Sequence, residues 1–530
     1  MRKCIALILA AAMLTGLLAG CAADGATAGT GEKVITMAMT NPWDTMMPLN
    51  TNSNYGRVIY DQLYDRLTMN QADGSFAPRL AKSWEVSEDS TAVTFRLVEN
   101  AKWHDGTPFT SADVVFSFQL YSNPGVEALS RYLLQYIDGV DASGAEISDK
   151  SIAVEALDDY TVVITMKSPM YYETLLNDLN NVFMIPKHIF EGKTPEELNA
   201  PTLWENPVGT GAFRFASKID GERMEFTANE DYFQGAPKID RLVVRIIPTA
   251  NLLAGLISGE IDILAGGGLG AILLDDWGMA KEQNNLITES IPTQSYQMLI
   301  INTQKPYMTE RARQAFSMAI NRDVLVNSLL QGEGVSIVTP ISPISPYYNP
   351  AVEVWFDPDL AKQILEEENF PFDQELVFLV PTGNTTRERA AVLIQQDFQR
   401  IGANVRIQSV DFPTLMNDMR EELHDFGVIG SGGSLDPSES RQMINPDSTV
   451  NFSRLTDYTL SDLALEGTSA LTFETRVPYF NLYQELMRDT AAIVYLFTTN
   501  SLMAYNNRLT GINAANFNVL DWSAWKWDIN

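Results

Sequence analysis

"DGSFAPRLAKSWEVSEDSTAVTFRLVENAKWHDGTPFTSADVVFSF", residues 73–118, is the stretch whose local grammar decides the fold. Val93, Phe95 and Leu97 alternate with Thr94 and Arg96, the period of a strand with one buried face. Trp103 is a large apolar anchor. Asp105-Gly106 is turn chemistry, and Pro108 cannot donate to a strand ladder. Thr110, with Asp113 three residues on, reads as a capping box that opens a helix through Val114, Val115, Phe116 and Phe118. The segment therefore spells strand, corner, capped helix. It also holds His104 beside Asp105, which invites a catalytic reading. Such a pair needs a nucleophile or a metal brought to it, and adjacent side chains tend to point in different directions. A structural corner is expected.

Outward from this stretch the same alternation recurs. Residues 33–39, 91–98, 160–167, 224–228, 241–248 and 404–410 read as strands. Helical patterns lie between them. Residues 310–330 place Ala312, Ala315, Phe316, Ala319 and Ile320 on one face. Residues 387–402 do the same with Ala391, Ile394, Phe398 and Ile401, and residues 476–489 form a third helix. The mixture is an α/β protein without a short repeat.

A chain of 530 residues exceeds one compact core, so two or three domains are expected. The formal net charge of -30 repels a phosphate backbone and argues against nucleic acid as a partner. Both cysteines fall in the opening "MRKCIALILAAAMLTGLLAGC". Arg2 and Lys3 form a positive end, Ile5 to Leu18 an apolar run too short for a comfortable span, and Leu18-Ala19-Gly20-Cys21 looks like a bacterial lipobox. Residues 1–20 are thus expected to be a lipoprotein signal peptide, with lipid on the thiol of Cys21. Residues 21–32 read as a flexible tether. The mature chain then has no disulfide framework and no thiolate metal site.

The 73–118 stretch resembles the signature region of the family 5 extracellular solute-binding proteins, the peptide- and nickel-binding group that serves bacterial ABC importers. Further blocks follow in family order at 185–190, 206–215, 229–248, 256–264, 310–334 and 393–407. Three positions depart from the usual pattern: Ala212 for Pro, Asn321 for Asp, and Ser90 for a turn Gly. The match is looser over the carboxyl-terminal third.

The resemblance implies a two-lobed clamshell, like a periplasmic binding protein, with an additional domain. Lobe I would comprise residues 33–60, 185–295 and 501–530. The additional domain, residues 61–184, would pack on it away from the cleft and carry the His104 corner. Lobe II would be residues 296–500, with hinge crossings near 295–302 and 498–505. The implied function is capture of a solute, with a peptide foremost, and its delivery to ABC permease subunits. A sugar, a nickel chelate or another small solute on the same fold remains the alternative, and a secreted hydrolase or a signalling lipoprotein the alternative of another class. The protein is expected outside the cytoplasm, lipid-anchored to the membrane, as a monomer, without catalytic residues or cofactors.

For the cleft, the resemblance and the residue chemistry single out two loops. In residues 430–440, Gly432 and Gly433 permit close backbone approach, Ser434 follows, and Asp436 stands where peptide-binding members place an Asp that pairs with a ligand's amino terminus. An ordinary Asp-Pro turn is the other reading. In residues 50–60, Asn52, Ser53, Asn54 and Tyr55 can donate and accept hydrogen bonds. Asn451 and Ser453 resemble a cleft-edge segment. The glycines of residues 264–274 mimic a phosphate loop, but no Lys-Ser/Thr follows, so backbone near the cleft or hinge is the expectation. His188 and His424 form no ligand-spaced pair, and no metal site is expected.

Overall fold

In a computed structural model, residues 31–51, 53–148 and 150–530 are described. The expected signal peptide, the lipidated Cys21, nearly all of the tether and Asn52 lie outside the described residues.

Two long strands, Leu286–Ile301 and Ile493–Asn506, run antiparallel through the centre of an eleven-stranded sheet. On one side of this pair lie, in order, Ile263–Leu264, Val34–Met39, Arg241–Ile246, Arg223–Ala228 and Phe213–Ile219. On the other lie Phe426–Ser431, Glu375–Pro381 and Asn404–Val410, and the eleventh strand, Gly334–Ser336, pairs with Ile493–Asn506 off this path. The pairing runs from Leu286 opposite Asn506 to Ile300 opposite Ile493, with a break in register between Pro292 and Tyr296. The chain therefore crosses twice between two halves, and the ladder weakens at the crossing.

The buried apolar residues divide at that same break. One core takes Ile35 through Ile291 and resumes at Leu502. Two others take residues from Tyr296 through Phe497. Residues 61–184 contribute a four-stranded antiparallel sheet, Ala81–Val86, Ala92–Leu97, Thr161–Thr165 and Val154–Asp158. Its inward Val93, Phe95 and Leu97 join the first core instead of forming a separate one.

Parallel strands need long crossovers, and a helix supplies one between Glu375–Pro381 and Asn404–Val410. That helix, Thr385–Arg400, is capped by Asn384, whose side chain accepts from the Arg387 N–H, and it buries Ala391, Ile394 and Phe398. The helix expected over 310–330 is shorter. It spans Glu310–Ala319 and breaks at Ile320, which is extended. Side chains capture the backbone there. Asp397 accepts from the Asn321 N–H at 2.9 Å, and Asn321 Oδ1 accepts from the Val324 N–H at 3.1 Å. Buried Arg322 donates to the Tyr495 carbonyl at 2.9 Å. A π-helical turn, Val324–Leu329, then resumes the path.

The His104 corner is architecture. Trp103 is buried edge-on to Phe109, and the Thr110 N–H donates to Asp113 at 2.9 Å in the capping box. His104 Nδ1 accepts from the Gly209 N–H at 3.1 Å, which leaves Nε2 to donate to the Gly211 carbonyl at 3.0 Å. Burial holds this imidazole well below its usual range, at about 4, so it is neutral. A side chain at Gly209 would meet the Leu63 carbonyl oxygen at 1.8 Å, so only glycine fits between Leu63 and His104. Ser90, which replaces a turn glycine of the family pattern, does sit at a left-handed φ of 55°.

Candidate functional site

The crossing strands form the floor of a cavity of about 850 Å³ lined from both halves of the molecule. At the register break, Thr293 donates through Oγ1 to the Thr499 carbonyl at 2.7 Å, and Ser295 donates to the Gly432 carbonyl at 3.3 Å. Gly433 lies on the break at φ +65°. A Cβ there would fall 2.0 Å from the Gln294 carbonyl oxygen, so glycine alone lets this loop rest on the crossing. Gly432, Gly433 and Ser434 all line the cavity, as do Gly267 and Gly268 of the loop that mimics a phosphate site.

From the amino-terminal half, Ser53 caps the helix Asn54–Leu63, and Ser53, Asn54 and Arg57 line the wall. Beside them stand Asn177, Asn180 and Asn181 at the end of the helix Tyr172–Leu179. Arg57 donates to the Asn181 side-chain oxygen and to the Asn180 carbonyl. Behind it, Arg66 ion-pairs with Asp61 and lies 4.7 Å over the Phe183 ring. Burial first, and then the charge of Arg66, lower the Arg57 guanidinium to about 9, where it still carries its charge at neutral pH.

Acidic groups approach the cavity from both sides. Glu439 lines it from the carboxyl-terminal half. Asp178 sits between the lining residues Asn177 and Asn180. Burial, then the charges of Glu439 and Asp436, push its carboxyl up to about 8. Glu439 is raised too, by burial and by Asp436. The Tyr132 hydroxyl, raised by burial, feels Asp178 and Glu439 on one side and Arg57 on the other. These groups therefore converge across the cavity.

Several expected cleft residues lie elsewhere. Asp436 does not line the cavity. Both its oxygens are taken by Arg476, at 2.9 and 3.1 Å, and one also accepts from the Ser438 N–H and hydroxyl at 2.9 and 2.5 Å. The carboxylate expected to meet a ligand ammonium is thus spent inside the protein. Asn451 and Ser453 are buried against each other at 2.9 Å, and Asn451 also donates to the Leu455 carbonyl at 2.8 Å; neither lines the cavity. Tyr55 turns back, its hydroxyl 2.9 Å from Thr40 Oγ1 and accepting from Asn41 at 2.8 Å. Sequence reasoning missed Arg57, Asp178, Glu439 and the asparagines. A signal existed for Arg57: in "NYGRVIYDQL" it stands at the start of a helix that otherwise buries Val58, Ile59 and Tyr60.

No nucleophile is in contact with either ring nitrogen of His104, and His188 pairs with Asp105 at 2.6 Å on the partly exposed surface. No group of three or more potential metal ligands occurs among the described residues, and none of their helices is long and apolar enough to cross a membrane.

Comparison with known proteins places this geometry. The profile described as bacterial extracellular solute-binding proteins, family 5 Middle, matches residues 75–452. The heme-binding protein A of Haemophilus influenzae is 26% identical over 81% of this chain and 80% of its own. The oligopeptide-binding protein AppA of Bacillus subtilis is 27% identical over 86% of this chain and 84% of its own. The crystal structure of the ABC transporter substrate binding protein CtaP of Listeria monocytogenes superposes with a TM-score of 0.81 at 23% identity, covering 94% of this chain and all of that one. The two halves are thus the lobes of a two-lobed binding-protein fold.

Proposed function

We propose, on the premise that the chain belongs to the bacterial extracellular solute-binding proteins of family 5, that it captures a peptide between its lobes and delivers it to an ABC importer. One observation carries the reading: a cavity of about 850 Å³ lies on the double crossing and draws its polar lining from both lobes. That volume is in the range of small-molecule sites. A solute that touches both walls favours the closed arrangement over the open one by its differential contacts. The register break at Pro292–Tyr296 supplies the compliant point about which the lobes can move.

The chemistry of the walls supports a peptide. Backbone amides of a solute need donors and acceptors, and the lining offers asparagines, Gln294, Ser501 and the Gly432–Gly433 backbone. An amino-terminal ammonium is complemented by Glu439 of the carboxyl-terminal half, which lines the cavity, takes the role first expected of Asp436 and is coupled to Asp178. Ser53, Asn54, Gly432, Gly433 and Ser434 are retained as proposed solute contacts.

A non-peptide solute, such as a sugar or a nickel chelate, is the second reading. The name of the Haemophilus influenzae relative, a heme-binding protein, favours keeping it. The lobes would be held at the outer face of the cell membrane by lipid on Cys21, with the ABC permease subunits as partners. Native mass spectrometry of protein purified without refolding tests the assignment. A retained short peptide supports it; a retained non-peptide solute moves the second reading to the front.

A further inference from the structure

The guanidinium of Arg57 poses an electrostatic problem that the protein alone does not solve. Among the described residues no carboxylate lies within ion-pair distance of it. Asp61, four residues on in the same helix, ion-pairs with Arg66 instead. Buried Arg66 thus takes that carboxylate, and half-buried Arg57 is left on the cavity side. Its hydrogen bonds among the described residues go to a side-chain oxygen of Asn181 and, at 3.4 Å, to the Asn180 carbonyl. Its Nε is enclosed without any hydrogen-bond partner among the described residues. Buried donors are satisfied in most proteins, and a buried charge is ordinarily paired.

The surroundings hold the group in place for a partner that comes from outside. The Asn181 oxygen and the Asn180 carbonyl fix the plane of the guanidinium from one side. Asn180 is itself tied to the Asn70 N–H at 3.0 Å, and Asn177 accepts from the Asn70 side chain at 2.8 Å. Asparagines tied to one another surround this cation, and Asp178 of the same segment makes no ion pair with it. A planar guanidinium with free N–H groups matches a carboxylate better than any other common solute group.

We propose that Arg57 recognises a carboxylate on the solute, so that the bound molecule lies with its acid end on lobe I and the rest of its length toward lobe II. For a peptide this is the free carboxyl terminus. The inference rests on the solute-capture reading of the same cavity and adds to it the class and polarity of the ligand.

The test uses the full chain in detergent solution, stripped of retained solute. The probes are an equimolar pool of synthetic peptides of two to five residues with free carboxyl ends, and the same pool amidated at that end. Retention is read by native mass spectrometry and by competition in solution. Wild type should retain the free-acid pool at least tenfold over the amidated one. Arg57→Gln should lose that preference while unfolding at a temperature close to wild type. Arg57→Lys, which keeps the charge without the planar fork, should retain part of it and serves as the informative variant where Arg57→Gln does not fold. Equal retention of both pools by wild type overturns the inference and leaves peptide capture standing. So does an intact preference in folded Arg57→Gln or a full preference in Arg57→Lys. Retention of neither pool by wild type is a different failure: it overturns the peptide reading of the cavity, and the inference with it.

Discussion

Arg476 grips Asp436 with both terminal nitrogens, at 2.9 and 3.1 Å, from a position with no exposure to solvent. The same guanidinium lies 4.7 Å from the ring of Tyr171, in the segment 61–184, and 5.2 Å from that of Tyr347. The pair therefore anchors a cation against two aromatic rings, one of them Tyr171 far away in sequence, instead of presenting a carboxylate to the solute. Asp436→Asn leaves that buried cation unpaired. We expect a loss of about 3 kcal/mol of stability, at the lower end for a buried pair because the Asp436 side chain keeps 22% exposure. Denaturant unfolding measures it. An unchanged midpoint with a large loss of solute affinity would restore Asp436 to the cleft.

Asp178, coupled to Glu439 on the cavity wall, is expected to make peptide capture pH-dependent. With its carboxyl raised to about 8, it is largely protonated at neutral pH, and an arriving ammonium favours the ionised form. Affinity for a peptide with a free amino terminus should rise between pH 5.5 and 7.5, by up to about tenfold per unit. Asp178→Asn should flatten the rise. Without solute the sign for stability is opposite: the folded state holds a proton the unfolded chain releases, so stability falls as pH rises from the ordinary carboxylate range toward 8. Titration calorimetry across that range reads the first effect, and a slope unaltered in the variant would free Asp178 of the role.

His104 gives an acid-sensitive joint. Its folded value, about 4, lies below the ordinary 6.5, so the unfolded chain takes up a proton first as pH falls. The stabilising contribution is complete above pH 6.5 and is lost toward pH 4, by up to about 3 kcal/mol. His104→Gln can keep a donor for the Gly211 carbonyl and an acceptor for the Gly209 N–H. It should therefore be less stable than wild type near neutrality by a small margin and lose less on acidification, with peptide affinity unchanged. Loss of affinity at unchanged stability would contradict the structural role.

Much of the fold was legible because it is written in local chemistry. The alternation of Val93, Phe95 and Leu97, the capping box at Thr110 and the turn at Asp105-Gly106 each specify a short piece of backbone through neighbours in sequence. The helix over 310–330 was overdrawn because its end is set from far away: Asp397 and Tyr495 draw the backbone and Arg322 out of the helical path. The cavity was half legible for the same reason. Gly433 announces a close approach, though Gly432 beside it stands in open space, and Ser53 announces a cap. Nothing near Asp436 in sequence announces Arg476, forty residues on, and nothing near Asp178 announces Glu439.

The lipid anchor is a claim about Leu18-Ala19-Gly20-Cys21 alone. Cys21→Ser should abolish processing or release the protein from membrane fractions. Unchanged processing and membrane retention would remove the anchor while leaving the solute site untouched.

The cavity on the double crossing is expected to close on a solute. X-ray scattering in solution of the solute-free protein, before and after saturation with the free-acid peptide pool, tests it most directly. The radius of gyration should fall on addition and reach a plateau at one peptide per chain. An unchanged scattering curve, with mass spectrometry of the same sample showing peptide bound, would contradict it.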